Sequence, residues 1–464
     1  MLSNIIIYVK NTIYKIMIYI FYKYYPKSII SFIKNIKNSE LSFRLIKGFG
    51  WTTLAVIVSR GAALLASIPM ARFLGKQRFG EFGIIFNTIT MFCILGNGIG
   101  LTTAKYVAEY KNKDKEKTQR IITLSLIISL TFGIFIALLL LLTSSYLAEK
   151  IFSAPKLKPL IILCGLCILI NLSNQVQNGI LVGMEVFKRI AVRNFWGGIL
   201  RIIYMVLFSW FFGVKGAVIG ILLTEASMWL FNHYEVKNQI LKNSIKIKFN
   251  CDFFKEIKIF KIFFIPAILT GAILGPTTWI CNILIIKKQN GYEQIGLYNM
   301  AIQWKTLINF FPLALNEVLL PILSELSTSN KEKKFMIVFR SAILFYTFIT
   351  SIFAISIIIF SSIIVNFYGE GFFDGLNILR VTAFSSILFS IQEFLIRSLA
   401  SQGKMWLGFI YRAISCIVMI SFTFWFSHNG CGAIGLAIST IIAYTTVIII
   451  YFFGVYDFHV HLHY

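Results

Sequence analysis

Long apolar runs alternate with short polar connections over most of the chain. Runs of about 20 residues recur between Trp51 and Phe453, and each can cross a hydrocarbon core of about 30 Å as one helix. Such a run must be helical in lipid, because its backbone groups find no water to bond there. The pattern predicts an all-α integral membrane protein with twelve spans, at about 50–74, 82–104, 121–142, 160–182, 195–213, 216–236, 262–286, 297–323, 336–359, 376–397, 408–428 and 431–453.

The composition agrees with a membrane protein and excludes a soluble one. Of the 464 residues, 57% are hydrophobic and 14% are charged, whereas soluble domains carry about 25% charged residues. A net charge of +25 would suggest a nucleic-acid partner in a soluble protein. Here the basic residues lie mainly in the connections, where they set topology against an anionic membrane surface. We therefore expect membrane lipids as partners and no nucleic acid.

Basic residues are unevenly shared between alternate connections. Those after even-numbered spans hold more than twice as many Lys and Arg residues as those after odd-numbered spans. The positive-inside rule then places both termini in the cytoplasm, which agrees with an even number of spans. Residues 1–49 are rich in Lys, Ile and Tyr, and we expect a basic amphipathic segment at the cytoplasmic interface. A strained extra span is the alternative for this segment.

Short matches at one offset indicate an internal repeat. Residues 115–117 (KEK) recur at 331–333, and residues 216–218 (GAV) recur as GAI at 432–434. Six spans fit within this offset of 216 residues, so the halves share one orientation and are related by an axis along the membrane normal. The predicted division is a segment at 1–49, a first lobe of six helices at 50–250 and a second lobe at 251–464.

Several segments resemble one known family when they are read in order. They are ARFLGKQRFGEFGIIF (71–86), GNGIGLTTAKYVAEYKN (96–112), MEVFKRIAVRN (184–194), KKQNGYEQIGLYNMAIQW (287–304), FPLALNEVLLPILSEL (311–326) and SQGKMWLGFIYRA (401–413). The chain resembles the polysaccharide-biosynthesis flippases for O-antigen and capsule repeat units. This Wzx type belongs to the MOP superfamily, with its MATE multidrug extruders.

The resemblance implies two six-helix lobes around a cavity that opens alternately to each side of the bacterial inner membrane. It implies an undecaprenyl-diphosphate-linked oligosaccharide as substrate, and a polysaccharide polymerase and a chain-length regulator as partners. A multidrug or cation antiporter of the same superfamily is the alternative function. Such extruders carry a cation-coupling aspartate in helix 1, where this chain has Arg60, and all four aspartates lie outside the predicted spans.

Ionisable side chains within the spans are the first candidates for function, because each costs about 2.5–3.5 kcal/mol at mid-membrane. Basic groups there suit a diphosphate that crosses without its water shell. Acidic groups are candidates for coupling to H⁺ or Na⁺. The alternative is snorkelling or a structural pair; Glu393 and Arg397 stand at i, i+4 and could neutralise each other. The anion-path candidates are Arg60, Lys305, Arg201 and Arg397, and the coupling candidates are Glu225, Glu317 and Glu393.

Polar residues at helical spacing form three stripes that we expect to line a cavity. A stripe facing lipid would be costly. The alternative is hydrogen bonding between neighbouring helices. The cavity-lining candidates are Asn309 and Asn316 beside Lys305, Ser386 and Ser390 beside Glu393, and Asn171 and Asn178 with Asn174 or Gln175 between them.

The predicted depth of two basic residues suggests a path for the anion. Arg60 lies about nine residues into the first span, which places it about 13 Å from the cytoplasmic side. Lys305 lies about eight residues from the opposite end of the eighth span. We expect the diphosphate to pass from the inner charge to the outer one.

A membrane enzyme such as a polysaccharide polymerase or ligase is the rival from another class. Such enzymes need a large outer loop with catalytic groups, and the longest outer connection predicted here, near 143–159, contains one acidic residue, Glu149. The spans contain no paired carboxylates, nucleophile motif or metal-ligand cluster. We therefore expect neither enzymatic activity nor a cofactor or metal.

Overall fold

A computed structural model describes residues 40–243, 253, 256–257, 273–328 and 332–460. Side chains before Ser59, after Phe453 and at several positions between Phe311 and Thr328 lie outside this description. Most of the predicted segment 1–49 and the first part of the predicted seventh span are therefore also outside it. Within the described residues the chain is helical and contains no strand.

Twelve α-helices follow one another along the described chain. They are α1 Glu40–Tyr110, α2 Lys115–Tyr146, α3 Lys158–Gly183, α4 Phe187–Lys242, α5 Leu274–Ile286, α6 Gly291–Ile308, α7 Phe310–Thr328, α8 Glu332–Ile359, α9 Ser361–Tyr368, α10 Leu376–Ser401, α11 Met405–His428 and α12 Gly432–Val460. A π-helix at Leu147–Ile151 and a 3₁₀ helix at Pro155–Leu157 connect α2 to α3. A second 3₁₀ helix, Glu370–Gly375, connects α9 to α10.

Helices and predicted spans correspond once two sharp bends are taken into account. Helix α1 has 71 residues and bends at Gly75, where φ is 69°, and α4 has 56 residues and bends at Gly213, where φ is 58°. Glycine adopts positive φ without the steric cost that a Cβ atom brings. Each of these helices therefore contains two predicted spans. Helices α6 and α7 together form the predicted eighth span, which is interrupted at Asn309.

The outer surface of the bundle is strongly apolar. Eight of the described helices, including the bent α1 and α4, are long and apolar enough to cross a membrane, and α5 is a shorter apolar helix. Large side chains such as Leu142, Phe211 and Phe453 are 82%, 72% and 69% exposed. Contiguous exposed apolar surface of this kind indicates contact with lipid. The predicted all-α multi-pass membrane architecture is confirmed.

Helices packed together in the first half are neighbours in the chain, whereas in the second half one helix packs against several that are not. Helix α2 packs on α3 and α3 packs on α4, while α10 packs against α6, α8 and α12 in the second half. Chain contacts separate a unit at residues 1–54, described only for its helical residues 40–54, from a unit at residues 55–464. The predicted border between lobes near residue 250 falls among residues outside the description and stays a prediction.

The bundle has two ends, which we name after one residue each. The Gly75 end contains the bends at Gly75 and Gly213. These bends lie close together, as the contact between Leu74 and Gly213 shows. The Lys111 end contains the connection after α1, where the Lys111 Nζ atom lies 2.7 Å from Glu185 Oε1. The predicted topology makes the Lys111 end cytoplasmic.

Candidate functional site

One cavity, of about 230 Å³, lies around Lys305 and is named the Lys305 cavity. The Lys305 side chain is only 8% exposed, and its Nζ atom donates to Ser385 Oγ at 2.9 Å and to the Tyr444 hydroxyl at 3.3 Å. The same Nζ atom lies 4.8 Å from the centre of the Tyr444 ring, a cation–π distance. Lys305 thus contacts neutral oxygen atoms and an aromatic face.

Arg60 brings a second positive charge to this cavity. Its guanidinium donates to the backbone carbonyl of Thr306 at 3.3 Å, next to Lys305 in the chain, and lies 5.9 Å from the Phe310 ring centre. Asn309 also lines the cavity, and its side-chain oxygen has no hydrogen-bond partner within the described part of the chain. No acidic side chain occurs among the described residues that line this cavity.

The depth of Lys305 corrects the sequence prediction. Helix α6 begins at Gly291, six residues before the predicted span, so Lys305 lies 15 residues beyond Asn290. Arg60 lies 15 residues before the bend at Gly75. At 1.5 Å per residue, each is about 22 Å from the Gly75 end. The two charges therefore lie at similar depth beside one cavity, and not one at the inner and one at the outer side as the span boundaries suggested.

A second cavity, of about 220 Å³, lies between α3 and α4 and is named the Asn171 cavity. At its centre is Glu225, which lies on the second half of α4 and has a 13% exposed side chain. Its carboxylate lies 3.7 Å from the Arg201 guanidinium and accepts hydrogen bonds from Asn171 Nδ2 at 3.1 Å and Asn174 Nδ2 at 3.0 Å. The partners of Glu225 thus come from α3 and from the first half of α4.

A chain of hydrogen bonds continues from this carboxylate towards the start of α4. Asn174 Oδ1 accepts from Asn232 Nδ2 at 3.2 Å, and Asn232 Oδ1 accepts from Arg193 Nη1 at 2.5 Å. Arg193 also donates to Asn194 Oδ1 from Nε at 3.0 Å and from Nη2 at 2.6 Å. Asn178, two turns beyond Asn171 on α3, lines the cavity, and no described residue bonds to its Oδ1 atom.

Helix α1 lines both cavities. Ser59 lines the Asn171 cavity, while the next residue, Arg60, lines the Lys305 cavity. The structure therefore brings two groups of predicted site residues to neighbouring places. One group is Asn171, Asn178, Arg201 and Glu225, and the other is Arg60, Lys305 and Asn309.

Contacts between α1 and α6 join the two halves at the Gly75 end. Lys76 Nζ lies 3.0 Å from carboxylate oxygens of both Glu293 and Asp374. A methyl group at Gly80 would overlap the Tyr292 carbonyl, and one at Gly296 would overlap the Lys76 carbonyl. The two helices are thus in direct backbone contact at this end.

Three predicted cavity-lining residues line neither cavity. Asn316 is buried and accepts from the Tyr346 hydroxyl at 3.0 Å. Ser390 is buried, and its Oγ atom lies 3.1 Å from Thr350 Oγ1 on α8. Ser386 donates to the Thr382 carbonyl within α10. Asn316 and Ser390 therefore contact neighbouring helices, as expected of polar groups that hold helices together, while Ser386 bonds within its own helix.

The carboxylate of Glu393 has its partner on another helix. It lies 2.7 Å from Arg412 on α11, and both side chains are about one-tenth exposed. Arg397 is exposed on α10, and the i, i+4 pair with Glu393 that was considered as an alternative is not formed. Neither Glu393 nor Arg397 lines the two described cavities. Glu317 lies on α7, but its side chain is outside the description.

Sequence reasoning missed Arg193, Asn194 and Asn232 as site residues. The predicted fifth span begins at residue 195, whereas α4 begins at Phe187, so Arg193 belongs to the helix and not to a connection. The spacing of polar residues in the sequence could have indicated these site residues. Three pairs of polar residues stand seven apart, which places each pair on one helix face: Asn171 with Asn178, Asn194 with Arg201, and Glu225 with Asn232.

The arrangement of helices is that of the MATE transporters. A solved structure titled as the inward-facing conformation of a multidrug resistance MATE family transporter of the MOP superfamily superposes with a TM-score of 0.75. It is 18% identical and covers 86% of this chain and 96% of that chain. A MOP superfamily transporter from Pyrococcus furiosus, whose title describes a binding pocket of reverse polarity, gives a TM-score of 0.66 at 19% identity and covers 88% and 94%. The fold therefore defines the class as an α-helical membrane protein with the MATE arrangement of helices.

Sequence comparison gives the family within this class. Residues 45–327 match the family described as polysaccharide biosynthesis protein, and the chain belongs to it. The EPS I polysaccharide export inner membrane protein EpsE of Ralstonia solanacearum is 20% identical over 85% of this chain and 90% of its own length. A putative O-antigen transporter of Shigella flexneri is 22% identical over 87% of this chain and 93% of its own length. The predicted family resemblance is confirmed.

Proposed function

We propose that this protein moves a lipid-linked oligosaccharide, carried on undecaprenyl diphosphate, from the inner to the outer leaflet of a bacterial cytoplasmic membrane. The observation that carries the proposal is the Lys305 cavity, where two basic side chains from different halves of the chain, Arg60 and Lys305, face one space that has no acidic side chain among its described lining residues. The names of the relatives EpsE and O-antigen transporter support a polysaccharide substrate.

A diphosphate matches the chemistry of this cavity. Its two phosphates present adjacent anionic groups, each able to accept hydrogen bonds from a guanidinium or an ammonium group. A charged side chain buried without a carboxylate is costly in the membrane, and an anion is the ligand that offsets this cost at Lys305. A cationic drug would add to the positive charge of Arg60 and Lys305, which argues against a multidrug extruder.

The contacts at the Gly75 end suggest the order of events. With both termini in the cytoplasm, the Gly75 end is the outer one, and the Lys76 ion pairs with Glu293 and Asp374 close it. We infer that the substrate enters from the cytoplasmic side in this state. Export then requires separation of α1 and α6 at the outer end, with closure at the Lys111 end. An interior-negative potential favours outward movement of an anion by about 2.3 kcal/mol per charge per 100 mV.

The test is restoration of surface glycan in a bacterial strain that lacks its own flippase and makes the matching lipid-linked unit. Arg60→Ala and Lys305→Ala are expected to lose most transport, because each removes charge-assisted bonds worth about 1.5–3 kcal/mol, or roughly tenfold to a hundredfold. Arg60→Lys and Lys305→Arg keep the charge and are expected to retain most of it. Surface glycan is read beside the amount of protein in the membrane.

Matched controls use basic residues outside the cavities. Arg340 and Lys334 are exposed on α8, so Arg340→Ala and Lys334→Ala are expected to export at the wild-type level. If Arg60→Ala and Lys305→Ala both exported normally, the two residues would be structural and the anionic-site proposal would be wrong.

A further inference from the structure

Glu225 fixes the orientation of the amide groups in the Asn171 cavity. A carboxylate only accepts hydrogen bonds, so Asn171 and Asn174 must each turn the amide nitrogen towards it. Their nitrogen atoms lie 3.1 Å and 3.0 Å from the same carboxylate oxygen. The amide oxygen of Asn171 therefore points away from Glu225.

Two amide oxygens in this cavity have no donor among the residues that the structure describes. Asn171 Oδ1 and Asn178 Oδ1 are buried and unpaired, whereas Asn174 Oδ1 accepts from Asn232. A buried unpaired acceptor costs about 1–3 kcal/mol. The cavity thus lacks hydrogen-bond donors, which a bound molecule with O–H or N–H groups would supply.

The charges of the cavity disfavour a cation as that molecule. The carboxylate of Glu225 lies 3.7 Å from Arg201 and already accepts two amide hydrogen bonds. Arg193 adds a second guanidinium, so the described lining carries one more positive than negative charge. A Na⁺ ion at this carboxylate would be disfavoured, because Arg201 already neutralises the carboxylate. The amides of Asn171 and Asn174 also direct their nitrogen atoms, and not their oxygen atoms, towards it. A neutral or acidic polyhydroxylated ligand fits both the charges and the unpaired acceptors.

We propose that the Asn171 cavity binds a sugar of the transported lipid, with sugar hydroxyls donating to Asn171 Oδ1 and Asn178 Oδ1. The assignment rests on the proposed function and adds to it a place where the glycan is recognised. The net positive lining of the Asn171 cavity favours a neutral or acidic sugar over a sugar with a free ammonium group. Ser59 and Arg60, consecutive residues on α1, line this cavity and the Lys305 cavity respectively. A sugar close to the diphosphate therefore has a neighbouring site for its hydroxyls.

The experiment compares two lipids on the purified full chain. One is undecaprenyl diphosphate without sugar, and the other is the undecaprenyl-diphosphate-linked unit extracted from a cell that accumulates it. Wild type is expected to bind the glycosylated lipid at least about tenfold more tightly, because the sugar adds two or more hydrogen bonds. Asn178→Leu is expected to bind both lipids equally, with unchanged affinity for undecaprenyl diphosphate itself.

A matched control separates a lost sugar contact from a packing change. Asn282 on α5 is also buried with both amide atoms unpaired, but it lines neither described cavity. Asn282→Leu is expected to keep the wild-type preference for the glycosylated lipid. If Asn178→Leu kept that preference as well, the sugar site would be refuted.

Two further outcomes distinguish this inference from the proposed function. Lys305→Ala is expected to weaken binding of both lipids equally, and if it did so while Asn178→Leu kept the sugar preference, only the sugar site would be wrong. If wild type bound neither lipid, both proposals would fail. Stabilisation of wild type by NaCl but not by choline chloride, lost in Asn171→Leu, would make the cavity a sodium site and overturn the sugar assignment.

Discussion

The buried ion pair between Glu393 and Arg412 gives a quantitative prediction about stability. The pair joins α10 to α11 at 2.7 Å, with side chains 8% and 10% exposed. Removing one partner of a buried pair leaves an uncompensated charge and costs about 3–5 kcal/mol. Replacing both partners by apolar residues of similar size is often neutral, because both desolvation costs disappear. We therefore expect strong coupling between the two positions.

The variants are Arg412→Met, Glu393→Leu and the double variant. Each single variant is expected to unfold at a clearly lower temperature than wild type, and the double variant is expected to recover most of the loss. The assay is the fraction of monodisperse protein in detergent after heating. Raising the salt concentration should change the result little, because salt screens buried charges weakly.

An exposed pair on α2 provides the control. Glu116 and Arg120 stand at i, i+4 with atoms 3.9 Å apart, and the Glu116 side chain is 87% exposed. Glu116→Gln is expected to cost no more than about 0.5 kcal/mol. The reasoning is refuted if Arg412→Met is as stable as wild type, or if the losses of the two single variants simply add in the double variant.

Three further predictions concern topology, closure and coupling. A cysteine at Asp114 is expected to react with an impermeant label only from the cytoplasm and one at Asp374 only from outside; the opposite pattern would invert the topology. Gly296→Ala places a methyl group against the Lys76 carbonyl, so it should reduce cross-linking between cysteines at Lys76 and Asp374 by a short bifunctional maleimide; unchanged cross-linking would show that the close approach is not needed. The coupling candidate Glu225 is tested by Glu225→Gln, which is expected to leave the protein inserted and to slow transport, because it removes the carboxylate that accepts from Asn171 and Asn174; full activity would make Glu225 structural.

The architecture follows from the sequence because lipid restricts the possible structures. Each apolar run has to form a helix, so run length alone predicted the spans. The helix ends were predicted less well. Helix α6 begins at Gly291 and not near residue 297. Half-buried polar residues at its start, Glu293 and Gln294, bond to Lys76 and to the Ala433 backbone within the bundle, and hydropathy does not reveal such contacts. This shift changed the position of Lys305 relative to Arg60.

Side-chain partners were the part that the sequence did not predict. Spacing along one helix reveals only neighbours on that helix, so Arg397 was considered for Glu393 while the actual partner, Arg412, lies on α11. The same limit applies to Glu225, whose partners lie on α3 and on the first half of α4. Tertiary packing decides which helix faces meet, and a single sequence contains little information about it.

The most direct test of the central claim is movement of the glycolipid in proteoliposomes that contain only this protein. The undecaprenyl-diphosphate-linked unit is placed in one leaflet, and a glycosidase that cannot cross the membrane reads its arrival in the other. Wild type is expected to speed this arrival strongly, while Lys305→Ala, at equal protein content, gives a rate close to that of protein-free vesicles. Equal rates for wild type and protein-free vesicles, together with transport of a cationic dye by wild type, would contradict the account.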